Sequence, residues 1–431
     1  MRNQKYFLLD TYKNSCWVVG IFFFIILFQV TAFKYIWNLE VLSKSLNSLI
    51  LIFLIIYSIK NILTQSFDKR VWYFYLLPGI MVMVGMMLNV TYNVLFDFTL
   101  LSIYGLIIPW AAYIITPALL KKNIINSSVL WNYYYKFLLY INILGLLEYV
   151  LVFNGYSTFQ QKQTPFGEFS IGKFSLLFLL QDGELHFRYY SCFLEPGTLA
   201  MFLLPAMAYA FFNKNYIGLV ILLISFFLTY SLGGIISLVL LILIIIIILF
   251  RKTIKKALLG FLIVIVASLT IWFTFGDFFK QSFEDKGDSK TVREDNFTNS
   301  IKKLPELIVN YPFGLPLAVK TEDFEKNKDY LGSNFTPENA FQMGGFISFL
   351  GYIIVLFITV GIALTRVLFY PLNTEEKIVF SSLIVLFPFV VQRSVVWDSA
   401  LFAFLFAPAI IRVLINKKEA PILFKSCINI I

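Results

Sequence analysis

Residues 216–250 read YIGLVILLISFFLTYSLGGIISLVLLILIIIIILF, an uncharged stretch bounded by Lys214 and Arg251. A helix needs about 20 apolar residues to cross about 30 Å of hydrocarbon, so the stretch is too long for one crossing. Basic residues in short loops favour the cytoplasmic side, and both Lys214 and the cluster Arg251, Lys252, Lys255 and Lys256 claim it. The chain must therefore go out and back, turning near Thr229–Gly234, where Gly233 and Gly234 supply the turn. Both limbs are expected to be helical, because backbone in lipid has to satisfy its own polar groups.

The same pattern recurs along the 431 residues. The chain is 59% hydrophobic and only 14% charged, whereas ordinary soluble domains are about a quarter charged. Apolar runs place spans near 16–33, 45–62, 72–90, 97–117, 130–153, 190–212, 215–231, 233–250, 257–276, 340–363, 378–392 and 395–415. The expected fold class is all-α: residues 1–431 form a single polytopic bundle of about 12 spans. Arg2, Lys5 and Lys13 precede an apolar run of spanning length with no small-residue cleavage site, so this run reads as the first span and not a removed signal. With the N-terminus inside, the inner loops collect Lys60, Lys69 and Arg70, then Lys121 and Lys122, Lys214, the 251–256 cluster, Arg366 and Lys377, and finally Lys417 and Lys418. The outer segment 89–96 has no Lys or Arg. Both termini are thus expected in the cytoplasm. The net charge of +10 is scattered between apolar runs, which reads as topology signal and not as a nucleic-acid surface. Cys16, Cys192 and Cys427 have no metal or disulfide spacing and read as small apolar residues.

Two outer segments are long: 154–187, and a larger loop at 277–338 expected to contain short helices. In the larger one, Phe297, Ile301, Leu304 and Ile308 recur at helical spacing beside Lys302 and Lys303, which suggests a helix lying on the outer membrane surface. Pro305 is expected to divide it into two short pieces or to start the second.

The segment Phe187-Arg188-Tyr189-Tyr190-Ser191-Cys192-Phe193-Leu194-Glu195-Pro196-Gly197 enters a span from outside. It puts Arg188 at the interface and Glu195 about two turns deeper. An ionisable group inside a span usually faces a partner or an aqueous cavity. Pro196 lacks an N–H and is expected to open the helix there. Two readings stand: a structural Arg188–Glu195 pair, or a pair lining a substrate cavity. His186, the single histidine, lies close by and reads as an interfacial polar residue or a hydroxyl-binding one. Arg393 with Asp398 at the last outer turn reads as a clasp or as substrate contact, and Glu148 as a residue paired with a neighbour.

The R-x-x-S-x-F-x-E-P-G segment resembles the R-x-x-G-x-F-x-E-P signature of O-antigen and capsular polysaccharide polymerases, the Wzy-type enzymes related to the O-antigen ligases. Further motifs follow in that family's order: Thr229-Tyr230-Ser231-Leu232-Gly233 for T-x-S-R-G, Asn310-Tyr311-Pro312-Phe313-Gly314 for N-x-P-x-G, and Glu338-Asn339 for H-N, with Gly345 and Gly351 beyond. Leu232 replaces the usual arginine, and Glu338 replaces the ligases' histidine, a position where polymerases vary more. The resemblance spans 188–351. It implies transfer of a growing glycan from undecaprenyl pyrophosphate to a sugar hydroxyl of another lipid-linked repeat, on the outer face of a bacterial inner membrane. No metal or cofactor is implied. The implied partners are the lipid-linked oligosaccharides, with a chain-length regulator and a flippase of the same pathway. The guanidinium fork suits pyrophosphate oxygens, and Arg188, Arg293 and Arg393 are the outer arginines, with Asn339 and His186 as further substrate contacts. Glu195 and Glu338 are the candidate bases for the acceptor hydroxyl. A ligase for finished glycan and a flippase for the same substrate are the alternatives. The flippase is disfavoured because no paired halves or repeats are evident.

Overall fold

A computed structural model describes residues 16–31, 33–92, 100–156, 159–164, 167–172, 179–181, 188–193, 195–250, 287–315, 336–392 and 401–416. The helices are α1 (Cys16–Ile25), α2 (Glu40–Thr64), α3 (Leu77–Tyr92), α4 (Leu100–Lys121), α5 (Ser127–Phe153), α6 (Pro196–Phe212), α7 (Tyr216–Phe227), α8 (Leu232–Phe250), α9 (Gly287–Asn310), α10 (Thr336–Phe369), α11 (Thr374–Gln392) and α12 (Ala407–Ile415). Among the described residues, four helical stretches have the length and apolarity to cross a membrane: Lys69–Asn89, Ser127–Phe153, Gly233–Phe250 and Pro337–Phe369. Shorter apolar helices run over Trp17–Phe28, Ile52–Thr64, Ile107–Lys121, Pro196–Phe212, Tyr216–Phe227 and Phe402–Ile415. With α11, described helices fall at every expected span except that at 257–276, which lies outside the described residues. The chain is a membrane protein whose spanning part is all-α.

Apolar side chains fill the interior and also cover outward helix faces. On α7, Ile217, Val220, Ile224 and Phe227 are exposed at helical spacing, while Ser225 is buried. Ile52, Ile56, Ile59 and Leu63 mark a similar outward face on α2. Lipid tails are as apolar as these side chains, so close packing and interhelical hydrogen bonds carry much of the association. The α3–α10 crossing shows this: a Cβ on Gly344 would stand 2.7 Å from the Met86 nitrogen. Hydrogen bonds between spans cluster where helices are irregular. A π turn at Phe402–Phe406 precedes α12. Its Ala403 carbonyl accepts from Thr116 Oγ1 at 3.2 Å and its Leu405 carbonyl from Trp131 Nε1 at 3.1 Å.

One end of the bundle is held by ionic contacts. Arg366 pairs with Glu376 at 2.7 Å across the α10–α11 hairpin. Arg412 grips both oxygens of Glu375 at 2.8 Å, and the Ser127 hydroxyl donates to the same carboxylate. Arg70 Nη2 donates to the Ile415 carbonyl at 2.8 Å, and Lys122 Nζ to Asn61 Oδ1 at 2.7 Å. These residues come from different helices, and all fall at ends that the sequence assigns to one side.

Three local expectations change. Residues 159–189 contain a four-stranded antiparallel meander, β1 (Phe159–Thr164), β2 (Gly167–Gly172), β3 (Leu179–Gln181) and β4 (Arg188–Tyr189). Its register pairs Phe159 with Gly172, Ser170 with Leu180 and Gln181 with Arg188. Among the described residues of the larger loop, one helix runs for 24 residues, with Pro305 inside it. On that helix Leu307 is buried, with Leu304 and Ile308 half-buried beside it, and they pack with Leu315 and Phe341 at the start of α10. Ile301 stays exposed. The helix is thus docked on the bundle along its last turns. Finally, the glycines do not make the 229–234 turn. Tyr230 takes the left-handed conformation (φ +47°), while Gly233 and Gly234 lie in the first turn of α8.

Candidate functional site

The segment 188–195 is not a continuation of a span. Arg188 and Tyr189 form β4, Ser191 has φ +48°, and helix α6 begins only at Pro196. Pro196 therefore occupies the first helical position, where a missing N–H removes no hydrogen bond. Glu195 is the N-cap residue, extended (φ −145°, ψ 146°) and exposed. It does not lie two turns inside a helix. The intervening residues are the anchor. Tyr189, Tyr190, Cys192 and Phe193 are buried. The Tyr189 hydroxyl donates to Asn142 Oδ1 at 3.1 Å, and Ser191 Oγ to the Ile141 carbonyl at 3.4 Å. Phe193 bridges to Thr31 beyond α1. Glu148, three residues beyond Gly145 on the α5 face that meets Tyr189, is also buried.

Arg188 and the 229–234 turn come together. Tyr189 N–H donates to the Leu228 carbonyl at 3.0 Å, and Arg188 Nε to the Thr229 carbonyl at 3.3 Å. The T-x-S pattern has its own structural duty. Thr229 Oγ1 donates to the Phe226 carbonyl at 2.7 Å and accepts from Ser231 N–H at 3.3 Å. Ser231 Oγ accepts from Gly234 N–H at 3.3 Å and so caps α8. The turn is closed by its own hydroxyls, and one of its carbonyls orients the arginine.

The second group forms around a break in α10. Gly344 (φ −149°, ψ 17°) and Gly345 (φ +64°, ψ −162°) are non-helical. The Asn310–Gly314 motif fills the break. Phe346 N–H donates to the Pro312 carbonyl at 2.9 Å, and Leu315 N–H to the Gln342 carbonyl at 3.0 Å. Gly314 has φ +97°, and a Cβ there would lie 2.6 Å from Asn89 Nδ2. Asn89, at the end of α3, donates to the Met343, Gln342 and Leu315 carbonyls at 2.8, 3.2 and 3.4 Å. Two turns before the break stands Glu338, 1% exposed. Its Oε1 accepts from Gln342 Nε2 at 3.1 Å, and its Oε2 is buried with no hydrogen bond to the described residues. Asn339 beside it is half-buried. Nothing in composition or motif marked Asn89. Its only sequence signal was a polar side chain at the end of an apolar run.

Both groups occupy the same end of the bundle. Glu338 begins the α10–α11 hairpin, so it shares an end with Phe389 near the close of α11. Phe389 lies against Gly233, where a Cβ would stand 3.3 Å from the ring, and Gly233 follows the turn that Arg188 grips. The end opposite carries the Arg366 and Arg412 ion pairs. Arg293 lies on α9, whereas His186, Arg393 and Asp398 lie outside the described residues.

Apolar helix faces turned outward, with a buried carboxylate and an arginine-held turn at one end of the bundle, define a polytopic membrane protein. Residues 217–314 match the family model described as O-antigen ligase. This stretch, under a quarter of the chain, is thus similar to the O-antigen ligase family. The match runs from α7 through the 229–234 turn to Gly314, so Arg188 and Glu338 flank it. No curated protein and no solved structure matches the chain.

Proposed function

We propose that the chain is a polysaccharide polymerase, a glycosyltransferase acting on the outer face of the cytoplasmic membrane. The donor is a growing glycan on undecaprenyl pyrophosphate, and the acceptor is a sugar hydroxyl of another lipid-linked repeat. The observation that carries this reading is Glu338: a buried carboxylate at the same end as Arg188, with Oε1 held by Gln342 and Oε2 bound to no described group. Burying a carboxylate is costly, and a base must stand within hydrogen-bond reach of the proton it takes. In the transfer, the acceptor hydroxyl gives its proton to Oε2, and its oxygen bonds to the anomeric carbon. The bond from that carbon to the pyrophosphate oxygen breaks, and lipid pyrophosphate leaves with the electron pair. Arg188 meets its charge. Oε2 is covered in this state, so the acceptor reaches it only when the covering chain parts, a gating step of the kind common in enzymes.

The family description favours a second reading, a ligase that moves finished glycan to a lipid core. The two differ in acceptor. Glu338-Asn339 in place of His-Asn supports the polymerase. The test is purified protein supplied with lipid-pyrophosphate-linked repeats and a lipid-core acceptor. A ladder of lengthened glycans is expected. Transfer to a lipid core with no ladder would establish the ligase instead.

A further inference from the structure

We propose that Asn89 is a positioning residue for the transfer, acting through Gln342 on the carboxylate of Glu338. The inference rests on the reading of Glu338 as the base. In an unbroken helix the Gln342 carbonyl would accept from Phe346 N–H, and the Met343 carbonyl from residue 347. The break at Gly344–Gly345 diverts Phe346 N–H to Pro312. The Asn89 amide reaches both carbonyls, at 3.2 and 2.8 Å, sharing that of Gln342 with Leu315 N–H at 3.0 Å, and contacts the Leu315 carbonyl of the adjoining loop at 3.4 Å. Gln342 then carries the constraint onward, since its side chain holds Glu338 Oε1 at 3.1 Å. One residue thus links α3 to the carboxylate. Asn89 is 1% exposed, and Gly314 is packed against its amide, so it has no room to release this grip.

A carboxylate shifted by about 1 Å from its productive place loses about 10²-fold in rate. The experiment uses the full purified chain and lipid-pyrophosphate-linked repeats. Asn89→Asp keeps the shape and turns an oxygen towards the carbonyls. Asn89→Ala removes the donor without repulsion, and so serves if the aspartate variant fails to accumulate. The expected result is a fall in kcat of about 10²-fold with the acceptor KM nearly unchanged. Amide exchange should also quicken at Leu315 and Phe346. Wild-type kcat per folded molecule in either variant overturns the positioning role, whatever the exchange shows. A wild-type chain that transfers no glycan overturns the reading of Glu338 and this role with it, even where exchange quickens as expected.

Discussion

Arg188 holds a backbone carbonyl through Nε, and that choice of atom sets what can replace it. Lysine has no group at that position and offers a point charge in place of a planar fork. Arg188→Ala is expected to lower polymer formation by about 10²–10³-fold, the usual loss for one donor aimed at a leaving charge. Arg188→Lys should recover little of it. Polymer laddering beside an immunoblot measures both, and a normal ladder from the lysine variant would reduce Arg188 to a source of positive potential. The two carboxylates separate in the same assay. At position 338, Gln keeps an oxygen for the Gln342 amide but takes no proton, so Glu338→Gln should abolish the ladder at unchanged abundance. Glu195 is exposed at the start of α6, so Glu195→Gln should leave abundance unchanged as well. Full ladders from Glu338→Gln together with none from Glu195→Gln would move the base to Glu195. At this scale the sequence pointed to Arg188 and Glu338 through motif order. It missed Asn89, because a lone asparagine at a span's end carries no pattern until the chain that it holds is seen.

At the scale of elements, the spans were legible because lipid imposes a length and a composition on each helix. The errors fell where backbone conformation, not apolarity, decides. Glycine pairs suggest turns, but the 229–234 turn is closed by Thr229 and Ser231 hydroxyls, and its glycines serve close packing instead. Pro305 sits inside α9 without ending it. The meander at 159–189 is built from backbone pairing that a polar, glycine-containing stretch does not announce. The break in α10 is the element most tied to the site. Gly345 (φ +64°, ψ −162°) occupies a region open essentially to glycine alone, costing about 1–3 kcal/mol for other residues, and a Cβ there would collide with the Pro312 carbonyl. Gly345→Ala is therefore expected to loosen the 310–314 loop and abolish polymerisation. Gly361→Ala, in the same helix with open space around it, should behave as wild type. Equal activity in the two variants would mean that the break does not matter to the reaction.

For the whole molecule, alternation of the chain across the membrane makes a demand that no single motif tests: residues assigned to one side must meet one another. They do. Arg70 with Ile415, Lys122 with Asn61, and Arg412 with Glu375 join ends expected inside, while Arg188 with Thr229, and Asn89 with Leu315 and Gln342, join ends expected outside. An error of one span in the count between such partners would have put them at opposite faces. Which end faces the cytoplasm is a proposal from charge: the first set lies among the basic loops, and basic loops favour the inside. Cysteine labelling with a membrane-impermeant reagent checks this in intact cells with the outer barrier opened. Ser289→Cys, on α9, is expected to react at once. Ser128→Cys, exposed at the start of α5, should react only after the inner membrane is breached. The reverse pattern would turn the protein over, put Arg188 and Glu338 in the cytoplasm, and remove the site from the side where lipid-linked repeats are expected to be joined.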